Sequence, residues 1–302
     1  MEKSLAALNE RFAIPGELDF IEGPGGLPVA SVRNALAGAG ICLLGGHVLS
    51  YQPHDQQPVL WVSERSWFQA GRPIRGGIPV CWPWFAGQKE DPALPSHGFV
   101  RALLWQVRQT EALDDGATRI ALGIADDAAT RALWPHRFDL QVVVTVGERL
   151  RVDLAARNTD AAPWSFTGAL HSYFSVGDIA RVSVHGLEGC RYLDKVEGSA
   201  EKRQSGPITI ASEVDRVYMD TAAECAIEDV ALGRRIRIAK EGSRTTVVWN
   251  PWAEKARRTE DFGDEEYRGM LCVETANAGK EVVELAPGAS HCLTANITAE
   301  RL

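Results

Sequence analysis

No run of 18 consecutive apolar residues occurs anywhere in the 302-residue chain, so nothing in it is long enough to serve as a membrane-spanning helix. The opening MEKSLAALNERFAIPG has no basic region leading into an apolar stretch and a small-residue cleavage site, so a cytoplasmic chain is expected. Excess positive charge is missing too: 32 Lys and Arg against 40 Asp and Glu leave a net charge of −8. That field has the wrong sign for a duplex-binding protein, and nucleic acid is not an expected partner. The six cysteines (Cys42, Cys81, Cys190, Cys225, Cys272, Cys292) are scattered, with no CxxC, and several lie within apolar runs. They read as buried free thiols of a reducing compartment, not as a disulfide framework.

HExxH, GxxxxGK[ST], GxSxG and a GxGxxG between a strand and a helix are all absent, which removes support for a zinc protease, a P-loop NTPase, an α/β-hydrolase and a dinucleotide-binding fold. Long helices are also wanting. Residues 2–12 carry Leu5, Leu8 and Phe12 at helical spacing before Pro15-Gly16, so residues 1–15 read as a leading helix and turn. Asp127–Trp134 reads as a short capped helix stopped by Pro135.

What remains is strand-like. Leu140, Val142, Val144 and Val146 alternate with less apolar positions, Gly147-Glu148 intervenes, and Leu150, Val152 and Leu154 resume, the pattern of an antiparallel hairpin. Further period-two runs lie at Arg119–Ala125, Arg234–Ala239 and Cys292–Ile297. At 45% hydrophobic and 24% charged, the composition supports a large core. Ten or more strands without intervening helices imply an all-β antiparallel sandwich with few short helices. With no repeat or linker, residues 1–302 read as one domain. The charged stretch 253–267 has no strand alternation and reads as a solvated loop or short helix.

Four polar motifs sit in apolar or glycine-rich text. In Arg72–Phe85 (RPIRGGIPVCWPWF), Arg75 precedes a glycine pair that permits close backbone approach. Its fork of donors suits a phosphate or sugar hydroxyls, and Trp82, Trp84 or Phe85 a sugar face; a purely structural turn fits equally. In Pro95–Arg101 (PSHGFVR), His97 is either a group that titrates near neutrality or a structural histidine beside a solvated arginine. In ALHSYF, His171 lies in an apolar stretch that would desolvate and orient an imidazole, as suits a proton donor, though a satisfied core histidine remains possible. In MLCVETAN, Glu274 is embedded in an apolar strand with no adjacent cation, so it is either paired at a distance or tuned as a base. Asp215, in SEVDRVY, is flanked by Glu213 and Arg216 and reads as easily as a surface ion pair.

At these residues the chain resembles the aldose 1-epimerase family, in its glucose-6-phosphate 1-epimerase (hexose-6-phosphate mutarotase) branch. The matching text is GGHVLSYQP, LWVSERSWF, PIRGGIPVCWPWF, PSHGFVR, ALHSYF, SEVDRVY, VVWNPW and MLCVETAN, in family order from about residue 40 to 278. The resemblance implies a galactose-mutarotase-like supersandwich and a reaction needing neither metal nor cofactor, in which α and β anomers of a hexose 6-phosphate interconvert by acid–base ring opening. It also implies His171 as general acid and Glu274 as general base. Arg75, Ser96, Arg101 and Asp215 become substrate-binding positions, and His97 faces the sugar. Ser96 departs from relatives that carry a longer amide there, which suggests a contact through water. Arg75 and Arg101 together would clamp the phosphate.

Ordinary pKa values of about 4.3 for Glu and 6.5 for His would allow carboxylate and imidazolium to coexist only between those limits. Asp215 or Glu274 is then expected to hold His171 protonated nearer pH 7, giving a bell-shaped rate profile. The alternatives are an epimerase for unphosphorylated galactose or glucose, a non-catalytic sugar-phosphate sensor, and a glycoside hydrolase, which usually needs two flanking carboxylates. A small-molecule sugar and a monomer complete the expectation.

Overall fold

The computed structural model describes residues 4–88 and 91–302. Two large sheets dominate it, of nine and eight strands, with a four-stranded sheet formed by Leu18–Glu22, Pro28–Arg33, Ala37–Cys42 and His47–Pro53. The strand pairings of both large sheets are antiparallel. The expected sandwich is therefore the architecture found, and the α-helices among the described residues are Leu5–Phe12, Ala128–Leu133 and Trp252–Arg258. No helix among them is long and apolar enough to cross a membrane.

The expected hairpin is the centre of the nine-stranded sheet: Phe138–Val146 pairs with Leu150–Asn158 in the register Val142↔Leu154 and Val146↔Leu150. Its inward residues, from Leu140 to Leu154, are at most 2% exposed. Each such side chain contributes about 1.5–3 kcal/mol relative to an exposed one, which fixes the register, since a one-residue slip would turn all of them outward. The two expected helices form as well. Ser4 accepts the Ala7 N–H through its hydroxyl at the start of Leu5–Phe12, and Asp127 with Thr130 makes a reciprocal capping box on Ala128–Leu133.

Two expectations change. Cys42, Cys81, Cys225 and Cys272 are buried free thiols, but Cys190 is half-buried and Cys292 exposed. Within Ser290–Arg301, Leu293, Ala295 and Ile297 point inward, and the alternation that buries them sends Cys292 out. The charged stretch 253–267 does begin in a helix, yet it is not simply solvated, because Asp261 is 4% exposed and Phe262 fully buried.

The eight-stranded sheet positions the chemistry. In Met270–Asn277 every residue is buried. Leu271 and Val273 join the main core shared with the nine-stranded sheet, while Met270, Cys272 and Ala276 pack with separate clusters on the other face. Glu274 follows the second set by alternation. Cross-strand pairs carry that face sideways, from Glu274 through Val247 to Val217, and from Cys272 through Trp249 to Asp215. Two carboxylates 59 positions apart thus lie on one surface of one sheet.

Candidate active site

The glycine pair of RGGIP turns the chain where side chains cannot follow. Gly77 has φ +61°, and a Cβ there would lie 2.2 Å from the Val48 carbonyl oxygen; one on Gly76 would lie 2.4 Å from the Val62 Cα. His47 locks this turn by donating its Nε2–H to the Gly76 carbonyl at 2.7 Å. Burial holds its pKa down to about 4, so the folded chain refuses a proton that the unfolded chain takes up below pH 6.5. The stability tied to His47 is complete above pH 6.5 and is lost as pH falls toward 4, by up to roughly 3 kcal/mol. Thermal melts from pH 7.5 to 4 should show that fall, and it should be smaller in His47→Gln.

Arg75, fixed by the turn, is already engaged. Its Nε and Nη2 donate to Asp261 Oδ2 and Oδ1 at 3.2 and 3.0 Å, and its Nη1 donates to the Tyr173 hydroxyl at 3.1 Å. Three of five guanidinium N–H groups are thus satisfied, and the buried carboxylate of Asp261 offsets its charge. The free phosphate fork expected at this position is half occupied by protein.

His171 lies between the short strands Gly168–Leu170 and Tyr173–Ser175, both paired with Met270–Asn277 through Leu170↔Thr275 and Tyr173↔Cys272. That interruption places its ring opposite Glu274, with Nε2 at 3.3 Å from Glu274 Oε1. Its ring stacks on Tyr173 at 4.8 Å and 12°. The other heteroatoms, His171 Nδ1 and Glu274 Oε2, are buried without a partner. Burial, then the neighbouring His97, Arg75 and Arg101, push the His171 pKa well below 6.5. Burial, then Asp215, pushes that of Glu274 well above 4.5. This corrects the expectation that Asp215 supports a protonated His171. The charge of Asp215 acts on Glu274 instead, and the pair shares one proton in a medium that disfavours separated charges.

His97 sits at φ +62°, its Nδ1 accepting the Ala86 N–H at 3.3 Å, with its ring 5.6 Å from that of His171. Burial, with Arg101 and Arg75 nearby, holds its pKa down to about 3, so it is a neutral imidazole with Nε2–H left to donate. Arg101 donates to the Ser96 carbonyl at 2.6 Å; Ser96 itself is exposed and acts here through its main chain. Asp215 is 3.9 Å from Lys255 Nζ, which binds Glu213 at 2.8 Å. Of the aromatic candidates, Trp82 and Trp84 are buried in the core, with Trp82 ringed by Phe99, Trp134, Phe138 and Trp164. Only Phe85 reaches the site, between His97 and His171. Sequence reasoning assigned no role to Tyr173 or Asp261. Tyr173 was findable, two residues beyond His171 along a strand direction, whereas nothing in a charged run singles out Asp261.

The model of the family described as aldose 1-epimerase matches residues 28–298. A Salmonella typhimurium protein, provisionally named glucose-6-phosphate 1-epimerase, is 38% identical over 252 residues, covering 82% of this chain and 83% of that one. The crystal structure of YeaD from the same organism, described provisionally as a mutarotase, superposes with a TM-score of 0.90 at 32% identity over 96% of both chains. A galactose-mutarotase-related enzyme from Lactobacillus acidophilus, 13% identical with a TM-score of 0.72 over 90% of this chain and 97% of that one, shares the fold.

Proposed function

The chain belongs to the aldose 1-epimerase family, and from that premise we propose that it interconverts the α and β anomers of a hexose 6-phosphate, glucose 6-phosphate first, with His171 and Glu274 as its acid and base. The observation that carries this reading is their 3.3 Å approach with both side chains buried. Opening a cyclic hemiacetal removes a proton from the anomeric hydroxyl and delivers one to the ring oxygen. Both oxygens are bonded to C1, so the groups that serve them must be neighbours.

The proton count closes on this pair. With the cyclic sugar bound, carboxylate at Glu274 takes the hydroxyl proton while imidazolium at His171 protonates the ring oxygen, and the C1–O5 bond breaks. Glu274 is then a neutral acid and His171 a neutral imidazole, the arrangement that burial favours. The apolar surroundings therefore work toward the opened sugar. After rotation about C1–C2 the 5-hydroxyl attacks the other face of the aldehyde, His171 recovers its proton, and Glu274 returns its own to O1. His97, held neutral, offers a fixed N–H to a sugar oxygen, and Phe85 an apolar face.

Each direction of shift sets one limb of the pH profile. The second proton enters the pair only well below the ordinary 6.5 of histidine, and the shared proton leaves only well above the ordinary 4.5 of glutamate. A bell-shaped kcat/KM is expected with both limbs moved off the ordinary values of the two groups; limbs centred on 4.5 and 6.5 would mean unperturbed groups and overturn the assignment. The direct test adds protein to freshly dissolved α-glucose 6-phosphate, glucose or galactose and follows anomeric equilibration by polarimetry or NMR. Acceleration of the phosphate ester establishes the reading. Binding without acceleration leaves a sensor.

One observation favours a second reading, turnover of unphosphorylated galactose or glucose: Asp261 already neutralises Arg75. We also propose that residues 1–302 act as one cytoplasmic, monomeric unit, which the four buried free thiols support; light scattering tests the monomer.

A further inference from the structure

One neighbour of the acid–base pair has no part in ring opening. Cys272 lies on the same strand as Glu274, two residues earlier and so on the same face, and it is fully buried. One ligand atom each from His171, Cys272 and Glu274 lies within 4.8 Å of the other two. We propose that these three side chains form an inhibitory site for a thiophilic divalent cation, Zn²⁺ foremost, that excludes the sugar; the inhibition, though not the binding, rests on the function proposed above.

Three observations carry it. The 3.3 Å between His171 Nε2 and Glu274 Oε1 is the spacing that N and O ligands at about 2.0–2.1 Å subtend at a tetrahedral ion. The Cys272 sulfur, within 4.8 Å of both, is the soft donor for the third position, where the bond length to Zn²⁺ is about 2.3 Å. Second, Glu274 Oε2 is buried without a partner, an acceptor left over for a cation that the carboxylate binds through both oxygens. Third, the charge balances. Zn²⁺ displaces protons from the thiol and from the acid–base pair, and neutral imidazole, carboxylate, thiolate and divalent ion then sum to zero net charge. The usual penalty for burying an isolated ion is thereby avoided. With the ion in place, neither Glu274 nor His171 can accept or donate a proton, and anomerisation stops.

The experiment titrates the intact protein with ZnCl₂ in a non-chelating buffer, following both anomerisation and binding by calorimetry, and repeats the binding with Co²⁺ as a spectroscopic probe. Expected are one ion per chain, loss of activity restored by EDTA, mutual exclusion of Zn²⁺ and sugar phosphate, and a thiolate-to-cobalt charge-transfer band in the near ultraviolet. Cys272→Ser should lose the band and bind Zn²⁺ at least as weakly as the roughly 10–100-fold loss seen when a supporting group is removed, while retaining its anomerase activity. Absence of the band in the wild type, or unchanged Zn²⁺ affinity in Cys272→Ser, overturns the site. A wild type that binds Co²⁺ with the band but accelerates no sugar upholds the site and overturns the function reading, so the two failures are distinct.

Discussion

His171→Ala and Glu274→Gln should each lose roughly 10²–10⁴-fold in the acceleration of anomerisation, the range over which positioned acids and bases contribute. The double variant should be little worse than either single, because neither group works without the other: one supplies the proton that the other's action makes room for. Loss of activity must be told apart from loss of fold, and here the site helps. Glu274 is 1% exposed with one oxygen unpaired, a position where a charged group costs stability. Glu274→Gln removes the carboxylate at nearly constant shape, so its melting temperature should match or exceed that of the wild type. Polarimetry with a thermal melt on the same preparation makes the check. A folded Glu274→Gln that keeps more than about a tenth of the acceleration would remove Glu274 from the role of base.

The fold was legible because its core obeys one period. Leu140 to Leu154 alternate so cleanly that register, turn and buried face follow from spacing alone, and Asp127 announces its helix by a side chain that caps it. The site was legible only in part, and the reason is physical. His171 and Glu274 stand out as polar groups in apolar text, yet what tunes them comes from elsewhere in the chain. Their pKa directions are set by burial on the outer face of the eight-stranded sheet and by His97, Arg75, Arg101 and Asp215, which a sequence orders but does not place. The ordinary pKa values therefore suggested a protonated histidine beside an ionised glutamate, whereas burial reverses the preference. Asp261 illustrates the limit: it is 186 residues from Arg75 and embedded in a run of charges, and only the tertiary fold shows it to be the partner that takes two of that guanidinium's five N–H groups. Cys292 shows the converse, a residue judged by its apolar neighbours when strand alternation decides its exposure.

Arg101 and Arg75 should behave differently on substitution, although the sequence offers them as equals. Arg101 spends one donor on the Ser96 carbonyl and has no carboxylate partner among the described residues, so its charge is available to an anion. Arg101→Ala should raise KM for the 6-phosphate ester by roughly 10–150-fold, the equivalent of the 1.5–3 kcal/mol carried by a hydrogen bond to a charged group, and leave the free sugar nearly unchanged. Arg75→Ala breaks a different set of contacts. It leaves Asp261, its side chain 5% exposed, as a buried charge without its partner, a loss of about 3–5 kcal/mol, and it strips the Tyr173 hydroxyl against which His171 is stacked. Both sugars should then suffer in kcat, and the melting temperature should fall. Asp261→Asn separates the two functions of Arg75: it removes the offsetting charge while keeping an oxygen for the guanidinium. A lower KM for the phosphate ester would show Arg75 contacting the phosphate; an unchanged one would leave that contact to Arg101. If Arg101→Ala costs both sugars equally, no phosphate clamp exists and the protein is a mutarotase of neutral hexoses, its acid–base pair intact.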